Sequence, residues 1–149
     1  MIDFLPSGDS LEIRVLLPAP CSRVYRAWTA ESEFAQWFRG SEGGYLEIHE
    51  FDCRQDGGFD LTMVNPIGEQ NRLAGTYIRV ESDRFLAFTW HWKTEIGFSE
   101  PMEVSVEFEP VGETTLLTIR HRPFASDFAR DAHRNGWEPC LLNLRGYLS

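Results

Sequence analysis

The sequence predicts an α+β domain in which a curved, seven-stranded antiparallel sheet holds one long C-terminal helix. Three observations carry that expectation. The first is the final stretch, Ser126 to Leu148, where Trp137, Leu141, Leu144 and Leu148 recur at steps of four, three and four. Such steps place side chains on one face of an α-helix. The second is the alternation of apolar and polar residues from Gly43 to Arg122, interrupted only by short turn signals. A period of two belongs to strands with one buried face, and short connections join consecutive strands into an antiparallel meander. The third is that a lone helix with one apolar stripe must cover it, and a sheet is the only large apolar surface the chain offers.

Taken in order, residues 1 to 9 read as a loose N-terminal arm. Leu11, Ile13, Val15 and Leu17 alternate with Glu12 and Arg14 as a strand, with Leu16 suggesting partial cover on its second face. Pro18 and Pro20 end it, and Pro20 suits a helix start, where its missing N–H costs nothing. Val24, Tyr25, Ala27 and Trp28 give that helix its apolar side, and Glu31 to Phe38 forms a second short helix. The two are expected to brace the sheet edge. Leu46 and Ile48 begin the next strand, which extends toward Phe51. Asp56-Gly57-Gly58 is a tight turn, because Asp and Gly tolerate positive φ. Phe59, Leu61 and Met63 follow on one face. In residues 71 to 80 the inward set is ambiguous, either Tyr77 or Ile78, with Val80. Leu86, Phe88, Trp90 and Trp92 alternate cleanly, as do Val104, Val106 and Phe108 against Glu103, Ser105 and Glu107. Leu117, Ile119 and His121 share the last inward face, and Pro123 stops the sheet. Ser126 or Asp127 caps the long helix by accepting from free backbone N–H groups. Pro139 inside it should kink or restart the helix near Asn135 to Pro139.

Composition narrows the function. A net charge of −9 disfavours a general attraction to nucleic acid or to an anionic membrane. Three widely spaced cysteines, Cys21, Cys53 and Cys140, form neither a CxxC pair nor a disulfide framework. The segment MIDFLPSGDS has no basic region followed by an apolar run, so no signal peptide is read and a cytoplasmic location is expected.

The order of elements resembles the helix-grip fold of the START-like superfamily, also called SRPBCC and shared with the birch-pollen allergen. More narrowly, Val24-Tyr-Arg-Ala-Trp28-Thr29 and Gln36-Trp37-Phe38 resemble the homologues of the activator of the heat-shock HSP-90 ATPase (AHSA-like). Gly57-Gly58-Phe59, Gly75-Thr-Tyr77, Phe88-Thr89-Trp90 and His133-Arg-Asn-Gly136-Trp137 extend the likeness from about residue 11 to 148. The resemblance implies a single START-like domain over 1–149, with a sheet gripping the helix and a cavity between them. It says less about activity: in eukaryotic co-chaperones such a domain is joined to a second one that contacts the chaperone.

Catalytic and metal chemistry is sparse. His49, His91, His121 and His133 stand at no metal-ligand spacing, and no GxSxG, P-loop or GxGxxG occurs. Neither Cys53 nor Cys140 is read as an activated thiol. No catalytic residue, metal or cofactor is assigned. What remains is an aromatic surplus, eleven Phe and five Trp. Phe59, Met63, Phe88, Trp90, Trp92, Met102, Phe124, Trp137 and Leu141 are expected to meet in one interior, as a solid core or around a cavity. His121, Tyr77 and Arg39 are its polar candidates. Trp137 should insert most deeply, with Gly136 allowing close approach and its indole N–H meeting a carbonyl or a ligand. The leading expectation is a binding protein for a small hydrophobic or aromatic molecule, with no nucleic-acid or membrane partner. A cyclase- or hydrolase-type enzyme and a partner of a chaperone stand as alternatives, and homodimer formation stays open.

Overall fold

Alternation becomes strand along the whole meander, and each strand lies beside the next. The computed structural model describes all 149 residues. In chain order the elements are β1 (Ile2–Ser7), β2 (Ser10–Leu17), α1 (Cys21–Thr29), α2 (Glu31–Trp37), β3 (Tyr45–Phe51), β4 (Gly58–Val64), β5 (Gln70–Glu81), β6 (Phe85–Thr94), β7 (Gly97–Phe98), β8 (Met102–Val111), β9 (Thr114–Arg122) and α3 (Asp127–Leu148). The strands form one antiparallel sheet in the order β1-β2-β9-β8-β6-β5-β4-β3, with the two-residue β7 pairing only with β6.

Nine strands replace the expected seven. Residues 1 to 9 are not a loose arm, because β1 pairs with β2 from Ile2↔Val15 to Ser7↔Ser10. Gly8, at φ +60°, opens the two-residue turn between them, a position that needs a left-handed residue. Phe4 on β1 carries the Arg134 guanidinium of α3 at 4.3 Å, which fixes the strand to the helix.

Two bulges settle the ambiguous faces. His49 is the extra residue between Ile48↔Leu61 and Glu50↔Asp60, so Phe51 rather than Glu50 turns inward after Ile48. Ile78 is extra between Tyr77↔Phe88 and Arg79↔Ala87, so Tyr77 and then Val80 face the core while Ile78 is exposed. Gly75, opposite Phe59, is required by space: a Cβ there would stand 2.6 Å from the Phe59 ring and 2.0 Å from the Thr89 carbonyl oxygen.

Leu11, Ile13, Val15 and Leu17 on β2 line the inner face with Val104, Val106 and Phe108 on β8 and Leu117 and Ile119 on β9. Glu103 and Glu107 are exposed and Ser105 is half-buried, as the alternation requires. Leu16 is exposed, so nothing covers the second face of β2 there. Trp137, Cys140, Leu141, Leu144 and Leu148 of α3 close the core from the other side. Ser126 is the cap, its Oγ accepting from the Ala129 N–H at 3.1 Å. The helix passes through Pro139 without restarting. The backbone bond lost there falls at Asn135, an exposed residue whose surroundings include water.

Only part of the edge-bracing expectation holds. α2 touches the edge strand β3, but α1 lies against β8 and β9 within the sheet. Trp28 of α1 meets Trp37 of α2 edge-on at 4.7 Å, and the Trp37 indole N–H donates to the Ala27 carbonyl at 2.8 Å. Asn143 of α3 donates to the carbonyls of Trp37 and Gly40, tying the chain after α2 to the long helix. No helix is long and apolar enough to cross a membrane.

Candidate functional site

A cleft of about 270 Å³ opens between α3 and the strands β4 to β6. One wall is a single face of α3: Ala132, His133, Gly136, Trp137 and Cys140, at steps of one, three, one and three. The sheet supplies Met63 from β4, Asn71 from β5, and Trp90 and Trp92 from β6, while Phe38 closes the end beyond α2. Register explains the sheet wall. Met63 pairs with Asn71 across β4 and β5, and Trp90 and Trp92 stand two residues apart on one face, their rings 5.5 Å apart edge-on.

Two imidazoles hold the indoles of the wall. The Trp92 Nε1–H donates to His133 Nε2 at 2.9 Å. His133 Nδ1 lies 2.7 Å from the Ala129 carbonyl oxygen one turn back. A carbonyl can only accept, so His133 is neutral with its proton on Nδ1, and both ring nitrogens are engaged. One layer deeper, the Trp137 Nε1–H donates to His121 Nδ1 at 3.1 Å. His121 therefore carries its proton on Nε2, which is buried without an acceptor beside the Trp90 ring, 4.7 Å away.

Burial governs the titrations. It holds His121 well below 6.5, and the nearby His133 pushes in the same direction. Burial also lowers His133, against the opposing effect of its bond to Ala129. Burial pushes the Cys140 thiol up to about 11, against the opposing backbone N–H groups of Gly40 and Arg39 and the Arg39 charge. It likewise raises Cys53 to about 11. Both thiols are protonated at neutral pH and are poor nucleophiles. Neither imidazole has a carboxylate among its partners, and no three His, Cys, Asp or Glu side chains converge to hold a metal ion. None of the ten residues lining the cleft is Lys, Arg, Asp or Glu.

Residues 18–149 match the sequence model of the family described as Activator of Hsp90 ATPase homolog 1-like protein. The chain belongs to this family. Its fold is that of solved structures from several bacteria. A Chromobacterium violaceum protein superposes with a TM-score of 0.86 at 20% identity, covering 94% of this chain and 96% of that one. The AHSA1 protein of Silicibacter pomeroyi gives 0.84 at 22% identity, covering 93% and 96%. CalU16 of Micromonospora echinospora gives 0.69 at 22% identity, covering 100% and 84%. At these identities the likeness is one of fold. No curated protein matches the sequence.

In this activator-homologue domain, four of the expected site residues line the cleft: Met63, Trp90, Trp92 and Trp137. The others lie elsewhere. Phe59, Tyr77 and Phe88 pack edge-on or tilted on one another at 5.6 to 5.8 Å, around a neighbouring void of only about 20 Å³. Three mutually packed rings leave that half of the interior solid. His121 and Phe124 form the layer behind the wall, 4.8 Å apart. Leu141 is fully buried in the core, and Met102 is half-buried beside Trp90 as its register partner. Arg39 donates to the Gln36 carbonyl and does not line the cleft. Trp137 is buried but Leu141 and Leu144 lie deeper, and its indole meets an imidazole rather than a carbonyl.

Phe38, Asn71, Ala132, His133, Gly136 and Cys140 complete the wall. His133 and Cys140 were legible as neighbours of Trp137 on the same helix face. Asn71 and Ala132 carry no hydrophobic signal. Gly136 does not serve close approach: a Cβ there would meet nothing within 4 Å, so the space beside it belongs to the cleft.

Proposed function

We propose that this protein binds a small hydrophobic or aromatic molecule in the cleft between α3 and the sheet, for sequestration, transport or sensing. The observation that carries the reading is the cleft itself: about 270 Å³, walled by Phe38, Trp90, Trp92 and Trp137, with no ionised side chain. Concave, mainly apolar sites with few polar groups are what small molecules occupy. The fold commonly carries hydrophobic ligands. Enzymatic use of the same cleft is disfavoured by its chemistry, since catalysis needs a nucleophile or base with an orienting partner. Here the accessible imidazole has both nitrogens engaged and the thiols are held protonated. A thermal-shift screen of apolar metabolites tests the proposal, because a ligand that binds only the native state raises its melting temperature. Stabilisation that disappears when the cleft is blocked supports it. A panel without any stabilising compound counts against it.

A second reading, action on a heat-shock chaperone ATPase, follows from the family's description and one observation. Ile67, Ile96 and Phe128 are 81%, 99% and 84% exposed. The first two lie in turns at the same end of the sheet, as the pairings Val64↔Gln70 and Lys93↔Phe98 require, and Phe128 opens α3. Exposed apolar groups at one end suit a protein partner. Stimulation of the cognate chaperone's ATPase by stoichiometric protein, lost in a triple Ser variant of these residues, would favour this reading. Unchanged ATPase rates would remove it.

A further inference from the structure

The chemistry of the wall says what kind of molecule fits, given the reading above that the cleft is a ligand site. We propose that its occupant is a flat, uncharged aromatic molecule of one or two fused rings, with a single polar substituent that meets the Asn71 carboxamide.

Charge comes first. The ten lining residues include no Lys, Arg, Asp or Glu. An ion moved into such surroundings loses its hydration without gaining a partner. The protein's net charge of −9 adds a further disadvantage for anions. Fatty acids and other carboxylates are thereby poor candidates.

Hydrogen bonding comes second. The indole N–H of Trp92 and that of Trp137 already donate to imidazoles, and both nitrogens of His133 are engaged. The one indole N–H of the wall left without a partner is that of Trp90, and it is buried, so a polar atom carried into the depth of the cleft would find no exposed partner there. What the depth offers instead is ring faces, ring edges and the Met63 thioether, all of which favour an aromatic guest. Asn71 differs from the rest. It is exposed, and its side chain makes no hydrogen bond within the protein. A free carboxamide both donates and accepts, so a hydroxyl, ketone or amide at that end can be matched.

Shape comes third. Gly136 does not adopt a positive φ, and nothing approaches its Cβ position. With Ala132 one turn earlier it leaves a bare strip of helix along the cleft, against which a flat ring can lie. A volume near the lower end of the ~300–1,000 Å³ typical of ligand pockets suits one or two rings.

Isothermal titration calorimetry with four probes tests the proposal: 2-naphthol, 2-methylnaphthalene, 2-naphthoate and 1-decanol. The proteins are the wild type, Gly136→Leu and Asn71→Leu, with Ala132→Leu as a second block should the first unfold. 2-Naphthol should bind the wild type, and 2-naphthoate at least about tenfold more weakly. Gly136→Leu should abolish binding while its urea midpoint stays equal or rises. Asn71→Leu should weaken 2-naphthol several-fold and leave 2-methylnaphthalene unchanged. Equal binding of naphthol and naphthoate, or an Asn71→Leu effect shared by both neutral naphthalenes or absent from both, would overturn the proposal. Binding of 1-decanol alone, lost in Gly136→Leu, would keep the cleft as a ligand site and reject the aromatic class. Failure of all four probes would reject both.

Discussion

His121 and His133 are each useful to the wall only while neutral, because each accepts a hydrogen bond from an indole. Protonation turns the acceptor into a donor and opposes both bonds. Their native pKa values lie below the ordinary 6.5. A group held low in the native state contributes stability that is complete above its unfolded pKa and is lost as pH falls from there toward the native value. Urea midpoints should therefore fall from about pH 6.5 downward, with a slope of up to two protons, and His133→Gln should remove about half of it. Glu33 and Asp60 act in a separate window. Burial raises Glu33, but bonds from Arg23, Tyr147 and Arg26 outweigh it and leave it below 4.5. Arg72 holds Asp60 below 3.8. A second test concerns the deeper pair. Trp137→Phe keeps most of the ring but leaves His121 Nδ1 buried without a donor, which should cost ~1–3 kcal/mol in chemical denaturation. An unchanged mutant would mean that the bond contributes nothing to stability. Much of this layer was legible: His121 has inward parity and His133 lies one turn before Trp137. That imidazoles would hold the indoles was not legible, because which partner an N–H finds depends on contacts between β6, β9 and α3 that no local pattern encodes.

At the scale of elements, periodicity identified the meander and α3 because each has one buried face with a strict repeat. It failed where a residue breaks the repeat. The bulges at His49 and Ile78 shift the parity of β3 and β5, and nothing local announces an extra residue. β1 was missed for another reason: its outer-edge position leaves Leu5, Pro6 and Ser7 exposed, so little alternation survives. The Gly8-Asp9 turn was the available signal. Because β1 covers the edge of β2 and carries Phe4 beneath Arg134, deletion of residues 1 to 8 should lower the urea midpoint and promote association through the uncovered edge. A loose arm would be removed without effect on either. Gly136→Ala should act in the opposite direction. It replaces glycine in a helix interior where no atom obstructs the new methyl, and should stabilise the fold by ~1 kcal/mol in the same assay.

For the molecule as a whole, the grip of the sheet on α3 produces two unlike halves. Around Phe59, Tyr77 and Phe88 the interior is filled by rings, whereas beside Gly136 and Asn71 it stays open. The chain's aromatic surplus pointed to both outcomes. Composition cannot separate a filled void from an open one, because the difference lies in how small residues on α3 face β4 to β6. The claim that the open half is a binding site is tested most directly by the indole ¹H–¹⁵N resonances of the five tryptophans during titration with 2-naphthol. Trp90, Trp92 and Trp137 line the cleft, and Trp28 and Trp37 do not. Saturable shifts confined to the first three are the predicted result. Shifts centred on Trp28 and Trp37, or an unchanged spectrum at saturating probe, would contradict it.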